Sequence, residues 1–318
     1  MEFARSIRSS PSAEIVAVAS RDLGRAKAFA GEHGIGTAFG SLEELAASPD
    51  IDGVYVCSPV HAHAAAVEVI AAAGKAILVE KPFAIDAAGA EAMFATAKRH
   101  NVFIMEAMWT RFLPAWKQIR ALVDGGRIGE IRAVSASFGF SLLGGARDEF
   151  LLDPVKGGGS LLEIGVYPIQ LLQDYLGTPT RTEAVIRESA QGADLDVAAG
   201  LAFGDRIATV QSSMTQMLPG SASLSGTSGI IHVPAFFHAA RRFEIHTLDG
   251  DAAHPFSVEL VDAEPEIGPL AYQAIHIAER IAQGETESDI MSPDDTVATL
   301  RIIDAIREAG RSRNTSDS

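Results

Sequence analysis

Short apolar runs alternate with helix-like segments over the first third of the chain. The runs "AEIVAVAS", "DGVYVCSP", "KAILVEKP" and "VFIMEA" are rich in valine, isoleucine and alanine, as in strands that are covered on both faces. Between them lie segments such as "LGRAKAFAGEHG", which ends in glycine, and "SLEELAAS", in which Ser41 and Glu44 have the spacing of a capping box. Strands and helices that alternate in this way predict a parallel sheet with right-handed crossovers.

The pattern changes after about Ala107. A helix around "PAWKQIRALVDGG" leads into segments that no longer alternate regularly, and "DVAAGLAFGDRIATVQSSMTQM" predicts two strands joined at Gly204 and Asp205. Helices are predicted at "SLLEIGVYPIQLLQDYLG" and in two segments near the carboxyl end. The predicted fold class is α/β, with a parallel-sheet domain over residues 1–107 and then an α+β domain with an open, mostly antiparallel sheet over residues 108–318.

Composition limits the partners that this chain can have. It has 318 residues, of which 47% are hydrophobic, which is enough for two domains. The 41 acidic and 26 basic residues give a net charge of −15, which repels nucleic-acid phosphates and anionic membranes, so we expect a small-molecule partner. Cys57 is the only cysteine, which excludes an intrachain disulfide, and no apolar run approaches the roughly 20 residues that span a bilayer. The histidines lack the spacing of metal ligands, and without an apolar signal segment the expected compartment is the cytoplasm.

Ligands of open parallel sheets bind at the carboxyl ends of the strands, so the residues after each apolar run are candidates for a site. The first run ends on Ser20 and Arg21. An NAD site usually has an acidic residue here, whereas a hydroxyl and a guanidinium suit the 2′-phosphate of NADP. The alternative is that Ser20 caps the next helix and that Arg21 is solvated.

Two further strand ends carry polar groups. Ser58 and Pro59 leave the sheet ahead of a helix, where backbone N–H groups and His63 would line a pyrophosphate or a nicotinamide ribose. Lys81 follows "ILVE" at the same edge, where a partly desolvated lysine can exchange a proton with a substrate hydroxyl. The alternatives are a packed or solvated His63 and a Lys81 that is solvated in a turn.

In the second domain, three glycines precede a helical segment that bears Glu163 and Tyr167. Their i, i+4 spacing puts the two side chains on one helix face, where a carboxylate and a phenol could orient a hydroxylated substrate and relay a proton. The alternative for Glu163 is a capping box with Ser160, and the alternative for Tyr167 is a place in the core.

Four segments, in this order, resemble the glucose-fructose oxidoreductase, inositol dehydrogenase and MocA family: "SPVHAH", "VEKPFA", "MEAMWTRFLPAW" and "GGGSLLEIGVYPI". Within that family the chain is similar to the dimeric dihydrodiol dehydrogenases and the sugar dehydrogenases near them. The resemblance implies a Rossmann-type nucleotide-binding domain followed by the α+β domain, with NAD or NADP bound between them.

The resemblance also implies roles for individual residues. Lys81 matches the lysine of the family's EKP motif, which contacts substrate and cofactor, and Tyr167 matches the position of the acid or base. Glu163 matches a position that is usually aspartate, so its carboxylate lies one methylene further out. The cofactor-contacting positions of the family are matched by Ser20, Arg21, Ser58, Pro59, His63, Glu80, Lys81, Trp109 and Arg111.

One part of the family's pattern is missing from this sequence. Family members have an apolar strand and a G-x-G-x-x-G/A turn ahead of the segment that matches "FARSIRSS", and neither is present here. That strand is central in the family's sheet, so its absence leaves two neighbouring strands without a partner. We expect the chain to be an amino-terminal truncation of a longer protein, whose upstream sequence encodes the strand and the turn.

Together these features predict an oxidoreductase that uses NADP, or NAD, to move a hydride to or from a secondary alcohol carbon. The expected substrate is a sugar, a cyclitol or a vicinal diol, and the expected assembly is a homodimer or a higher homo-oligomer. Tyr167 would accept the proton, tuned by Lys81, and Glu163 would fix a neighbouring hydroxyl. The alternative is a catalytically inactive sensor of the same fold that binds a cofactor or a sugar. The missing turn favours the sensor, whereas Lys81 and Tyr167 favour the enzyme.

Overall fold

The computed structural model describes residues 2–248 and 256–316, and contacts within the chain divide it into two compact units. The first unit comprises Met1–Ala84, Ala88–Phe112 and Pro265–Pro293, and the second comprises Ile85–Ala87, Leu113–Glu264 and Asp294–Ser318. A late segment of the chain thus packs with the first unit. There the Ile104 N–H donates to the Thr286 carbonyl at 3.3 Å, and Gly268 lies against Ser6 without room for a side chain.

Helices and strands alternate along the first part of the chain. The elements in chain order are α1 (Glu2–Ser6), β1 (Ala17–Ala19), α2 (Leu23–His33), β2 (Thr37–Phe39), α3 (Leu42–Ala46), β3 (Gly53–Val56), α4 (His63–Ala72), β4 (Ala76–Val79), α5 (Ala87–His100) and β5 (Ile104–Glu106). Gly34 ends α2 in the left-handed conformation, and the Ser41 hydroxyl accepts the Glu44 N–H at 3.1 Å at the start of α3. The predicted helix end and the predicted Ser41 cap are confirmed, whereas the Glu44 carboxylate of the predicted capping box accepts the Gly40 N–H at 3.0 Å and not the Ser41 N–H.

The parallel strands of the first unit lie in two separate sheets. β1 pairs with β2, and β3, β4 and β5 form a three-stranded sheet with β4 in the middle. β4 is buried throughout, whereas β1 and most of β3 are partly exposed. The predicted parallel sheet is thus interrupted, and no strand in the described residues pairs with both β1 and β3. Among the described strands, β1 and β3 therefore each have a partner on one edge only.

One eight-stranded sheet forms the centre of the second unit. The elements are α6 (Pro114–Asp124), β6 (Ile131–Gly139), α7 (Asp148–Leu151), α8 (Val166–Leu176), β7 (Arg181–Glu188), β8 (Asp194–Phe203), β9 (Arg206–Ser213), β10 (Ala222–Gly226), β11 (Gly229–Val233), β12 (Arg242–Leu248) and β13 (Phe256–Asp262). The strand order is β13-β12-β11-β10-β6-β9-β8-β7, and every neighbouring pair is antiparallel except β6 and β9. The predicted open, mostly antiparallel sheet is confirmed.

The two faces of this sheet differ. Helix α8 packs on one face against β6 and β9, where buried and exposed positions alternate along each strand. The strand register places Val185, Ile207, Val258 and Leu260 together on the other face, and all four side chains are exposed. This second face, called the open face below, carries exposed apolar side chains on β7, β9 and β13.

Two helices follow the sheet. Helix α9 (Ala271–Ala282) belongs to the first unit, and α10 (Pro293–Ser316) belongs almost entirely to the second. Gly310 of α10 lies against Ile186 of β7, where a Cβ would meet the isoleucine side chain at 2.5 Å. In the described parts of the chain, no helix combines the length and apolar character that a membrane crossing needs.

Candidate functional site

The end of β1 presents polar groups at the surface. The Ser20 hydroxyl accepts the Asp22 N–H at 3.3 Å, and the Asp22 carboxylate caps α2 by accepting the Arg25 N–H at 3.2 Å. The cap of α2 is therefore Asp22, and the alternative in which Ser20 caps this helix is wrong. Arg21 is exposed beside them. Asp22 is a strong N-cap residue type, so the sequence did contain this signal.

His63 braces two loops at the ends of parallel strands. Its ring is 1% exposed, and its Nδ1 and Nε2 atoms lie 3.0 Å from the Phe83 carbonyl and 2.8 Å from the Ser58 carbonyl. Ser58 and Pro59 themselves are exposed just ahead of α4. His63 therefore fixes the Ser58 backbone against the loop after β4. The contact between the His63 side chain and a cofactor stays a prediction. In this structure the imidazole ring is hydrogen-bonded to the Ser58 carbonyl.

Carboxylates hold the loop that carries Lys81. The Glu80 carboxylate accepts the Lys81 N–H at 2.8 Å with one oxygen and the Tyr55 hydroxyl with the other, and the Phe3 ring stacks on Tyr55 at a centroid distance of 4.0 Å. The Lys81–Pro82 peptide bond is cis, and the Lys81 side chain is half-buried. Because its backbone is hydrogen-bonded to the preceding side chain, Lys81 leaves the end of β4 in a fixed direction.

A second carboxylate supports the same loop from β5. Glu106 is 1% exposed and accepts the Phe83 N–H at 3.1 Å. Beyond it, Trp109 and Arg111 lie on a short 3-10 turn and remain partly exposed, and an Arg111 guanidinium nitrogen lies 3.5 Å from the Met291 sulfur. Glu106 was missed at the sequence level, although an acid that ends a fully apolar strand is a recognisable signal.

The three glycines of the second unit allow a close backbone approach. Gly157 and Gly159 have φ values of 87° and 115°, which only glycine adopts readily. A π-helical turn at Leu161–Gly165 follows and leads directly into α8. Pro168, in the first turn of α8, has no N–H to donate to the Ile164 carbonyl, which explains the irregular turn at this point.

Glu163 pairs with a cation and does not form a capping box. Its carboxylate accepts an Arg147 N–H at 2.8 Å, and its side chain is 17% exposed. Ser160 has helical backbone angles and makes no cap hydrogen bond, because its hydroxyl instead contacts Asp194 and Ser212. The capping-box alternative for Glu163 is therefore wrong. The carboxylate is partly buried, and the Arg147 guanidinium binds it.

Tyr167 lies in an aromatic cluster. Its ring is T-shaped against Phe138 at 5.8 Å and tilted against His238 at 5.1 Å. Phe236 lies next to His238 with a centroid distance of 6.2 Å, and it is 55% exposed in the left-handed conformation with φ 66°. A bulky residue is costly in this conformation, and such strain is concentrated at functional sites. Tyr167 thus packs against His238, which in turn packs against the exposed ring of Phe236.

The site residues thus form two groups. The first unit brings together Ser58, His63, Glu80 and Lys81 at the ends of β3 and β4. The second unit carries Glu163 and Tyr167 on one helical segment, where Glu163 binds Arg147 and Tyr167 packs against aromatic rings. Sequence reasoning missed Tyr55, Glu106, Arg147, Asp194 and His238, and for the last three the partners are too distant in the chain to give a local signal. Within the described ranges there is no group of three or more histidine, cysteine, aspartate or glutamate side chains that could hold a metal ion.

Two family models match this chain. The model described as an oxidoreductase family with an NAD-binding Rossmann fold matches residues 1–108, and the model of the GFO/IDH/MocA C-terminal domain matches residues 116–232. Trans-1,2-dihydrobenzene-1,2-diol dehydrogenase from Xenopus tropicalis is 34% identical over 302 residues, covering 93% of this chain and 90% of the relative. The Homo sapiens protein of the same name is also 34% identical over 302 residues, covering 93% and 88%.

Solved structures share the fold over nearly the whole chain. KijD10, a 3-ketoreductase from Actinomadura kijaniata solved with NADP and TDP-benzene, has a TM-score of 0.83 at 26% identity and covers 96% of this chain and 93% of its own. Levoglucosan dehydrogenase, solved with NADH and levoglucosan, has a TM-score of 0.85 with coverage of 98% and 94%, and at 20% identity it shows the fold alone. Since both halves of the sequence match models of one family and the dihydrodiol dehydrogenases match along nearly all of it, the chain belongs to the GFO/IDH/MocA oxidoreductase family.

Proposed function

We propose that this protein is an NADP-preferring oxidoreductase that moves a hydride between nicotinamide and a secondary alcohol or ketone of a sugar, cyclitol or vicinal diol. The observation that carries the proposal is the 34% identity to trans-1,2-dihydrobenzene-1,2-diol dehydrogenase over 93% of the chain. A 3-ketoreductase and an aldose-aldose oxidoreductase from Caulobacter crescentus, both similar in structure, support the same reaction class. We also propose a cytoplasmic location, because a chain with one cysteine does not depend on an oxidising compartment.

The strand ends of the first unit fit a nicotinamide dinucleotide. Arg21 is exposed after β1, and its guanidinium suits the 2′-phosphate that distinguishes NADP from NAD. Ser58 and Pro59 are exposed just ahead of the 3-10 turn Val60–Ala62 that leads into α4. This turn has no side-chain cap, so its first N–H groups suit an anionic group. Trp109 and Arg111 are partly exposed after β5 and would contact the nicotinamide end. When bound, the nicotinamide supplies the carbon that accepts or returns the hydride.

The protein's own side chains handle the proton and orient the substrate. In the oxidation direction, the C–H electron pair leaves the carbinol carbon as hydride, and the hydroxyl proton passes to the phenolate form of Tyr167, which the Lys81 cation would stabilise before the transfer. Glu163, held by Arg147, accepts a hydrogen bond from a neighbouring hydroxyl. The exposed ring of Phe236 suits the apolar face of a cyclic substrate.

We further propose a homodimer that forms through the open face of the eight-stranded sheet. Ile207, Val258 and Leu260 are exposed there, and the central strands carry small residues such as Ala133 and Ser135 on the same face. A flat, partly apolar sheet face is suited to packing against a second copy of itself. The measurement is the mass in solution of the parent and of Ile207→Lys. A dimeric parent and a more dissociated variant support this assembly, and a monomeric parent contradicts it.

The reaction is tested by incubating the purified protein with NADP or NAD and a panel of polyols, sugars and vicinal diols. The readout is the absorbance of reduced nicotinamide. The proposal predicts turnover of at least one secondary alcohol, with NADP preferred over NAD. Cofactor binding without turnover of any member of the panel would contradict the proposed reaction. It would support the alternative, a catalytically inactive sensor of the same fold.

A further inference from the structure

A buried carboxylate holds the start of the helical segment that bears Glu163 and Tyr167. Asp194, the first residue of β8, is 5% exposed, and its Oδ1 atom accepts the Leu161 N–H at 2.6 Å and the Ser160 hydroxyl at 3.2 Å. Leu161 is the first residue of the π-helical turn, 33 residues before Asp194 in the chain. Asp194 thus supplies, from a neighbouring strand, the cap that Ser160 does not provide.

The glycines of this region permit that contact. A Cβ on Gly159 would lie 2.6 Å from the Asp194 carboxylate, and a Cβ on Gly165 would lie 3.1 Å from the Ser212 side chain. The Ser212 hydroxyl in turn lies 2.9 Å from the Ser160 hydroxyl. Gly159 is therefore explained by the close approach of Asp194, and Gly158 by the close approach of the Phe150 and Leu151 backbone. The contacts of Asp194 and Ser212 fix the segment against β8 and β9.

The second oxygen of Asp194 faces a cation from α10. The Arg307 Nε atom lies 3.5 Å from Asp194 Oδ2, and an Arg307 N–H also donates to the Ile85 carbonyl at 3.2 Å. The Arg307 side chain is 16% exposed. A carboxylate can accept on both oxygens at once, whereas an amide would meet either Leu161 or Arg307 with its NH₂ group. The two sides of this site therefore require an aspartate.

We propose that Asp194, supported by Arg307, is a positioning residue that fixes the orientation of Glu163 and Tyr167 by anchoring the first turn of their helical segment. This inference rests on the proposed function, because it assigns to the anchor an effect on the reaction. Loss of the anchor should displace both side chains by a fraction of an ångström or more. This displacement lowers the rate of the chemical step and leaves the strand ends of the first unit unchanged.

The test compares Asp194→Asn and Ser160→Ala with a matched control, Asp174→Asn, at a temperature at which all variants are folded. Asp174 lies on α8 and pairs with Arg120 of α6 at 2.7 Å. Its variant therefore also weakens a partly buried aspartate–arginine pair, at the far end of the helix that bears Tyr167. We expect kcat to fall about tenfold or more in Asp194→Asn and about threefold in Ser160→Ala, with the Kd for NADP unchanged within about twofold. In Asp174→Asn, kcat should stay within about twofold of the parent.

Two outcomes overturn the inference, and only the second also contradicts the proposed role of Tyr167. If Tyr167→Phe is inactive while Asp194→Asn and Ser160→Ala keep the parent kcat, the anchor has a structural role only and the proposed function stands. If Tyr167→Phe itself keeps the parent kcat, the helical segment does not have the catalytic role proposed for it, and the inference about its anchor fails as well. Should Asp194→Asn not fold, Ser160→Ala decides alone, because it removes one hydroxyl and leaves the carboxylate in place.

Discussion

The two groups of site residues are held in place in different ways. In the first unit, the contacts that fix Lys81 come from the residue just before it and from neighbouring parallel strands, since Glu80 binds the Lys81 N–H and Glu106 binds the Phe83 N–H. In the second unit, the segment of Glu163 and Tyr167 is anchored by Asp194, 33 residues from the N–H that it accepts. The Lys81 N–H is thus held by the adjacent residue, with support for its loop from the neighbouring parallel strands, whereas the first turn of the helical segment is held by a carboxylate on a strand of the antiparallel sheet.

The largest effect is expected at Lys81. Lys81→Ala should lower turnover about 1,000-fold or more, equivalent to roughly 4 kcal/mol of barrier, because in the proposed mechanism the ammonium group assists the proton transfer. Its Tm should change little, since the side chain lies at a strand end. The measurement is kcat with the best substrate of the panel, with Lys75→Ala, at the other end of the same strand, as the control that stays active. Turnover of the Lys81 variant within about tenfold of the parent would rule out this role.

Tyr167 gives the next largest effect. Tyr167→Phe should lower kcat by about 10²- to 10⁴-fold, the range for loss of a general acid or base, and should leave the Kd for NADP unchanged. Tyr175→Phe is the matched control, because Tyr175 lies on the same helix with its ring beneath Arg120 at 4.0 Å. Stopped-flow kinetics of hydride transfer separate the chemical step from product release. Equal losses in the two tyrosine variants would show that only helix packing was disturbed.

Arg21 tests the cofactor end of the first unit. Arg21→Ala should weaken NADP binding by roughly 1.5–3 kcal/mol, the range for hydrogen bonds to charged groups, and should leave NAD binding nearly unchanged. Titration calorimetry with both cofactors measures this difference, and Arg99→Ala, an exposed arginine on α5, is the control. Equal losses for NADP and NAD would indicate that Arg21 stacks on the adenine.

The smallest effect concerns stability and pH in the second unit. Burial raises the pKa of Asp194 above its ordinary value, against the opposing attraction of Arg307. The folded protein therefore holds this proton more tightly than the unfolded chain does. As a result, the contribution of Asp194 to the free energy of unfolding is fully present below the ordinary pKa of an aspartate, and it is lost as the pH rises through the raised pKa.

Urea unfolding of the parent and of Asp194→Asn across this pH range measures that contribution. The free energy of unfolding of the parent should fall relative to that of the variant as the pH rises. A parent that gains stability relative to the variant over the same range would mean that the attraction of Arg307 outweighs burial.

The same contrast explains which features were predictable from the sequence. The end of α2 at Gly34 and the cap at Ser41 depend on residues within one helical turn, and both were predicted. The box between Ser160 and Glu163 fits the local pattern equally well but does not form, because Asp194 takes the Ser160 hydroxyl and Arg147 takes the Glu163 carboxylate. Local reasoning fails there because the competing partners come from elsewhere in the fold.

The strand order of the second sheet shows the same limit. The segments themselves indicate strands and turns, yet β6 pairs with β9 in parallel and with β10 in the antiparallel direction. Pairing between segments so far apart in the chain is decided by which apolar faces meet, and the local pattern of each segment does not show which partner it meets. The sequence therefore predicted correctly that the sheet is mostly antiparallel, but it did not predict the order of its strands.

The central claim, that the protein transfers a hydride from a secondary alcohol carbon to nicotinamide, is tested most directly by isotope transfer. The protein is incubated with NADP and a panel diol that carries deuterium on its carbinol carbons, and the reduced cofactor is examined by mass spectrometry and NMR. The account predicts one deuterium at nicotinamide C4, incorporated about 1,000-fold or more slowly by Lys81→Ala. Tight NADP binding with no deuterium in the cofactor, for every diol and sugar that is tried, would contradict it.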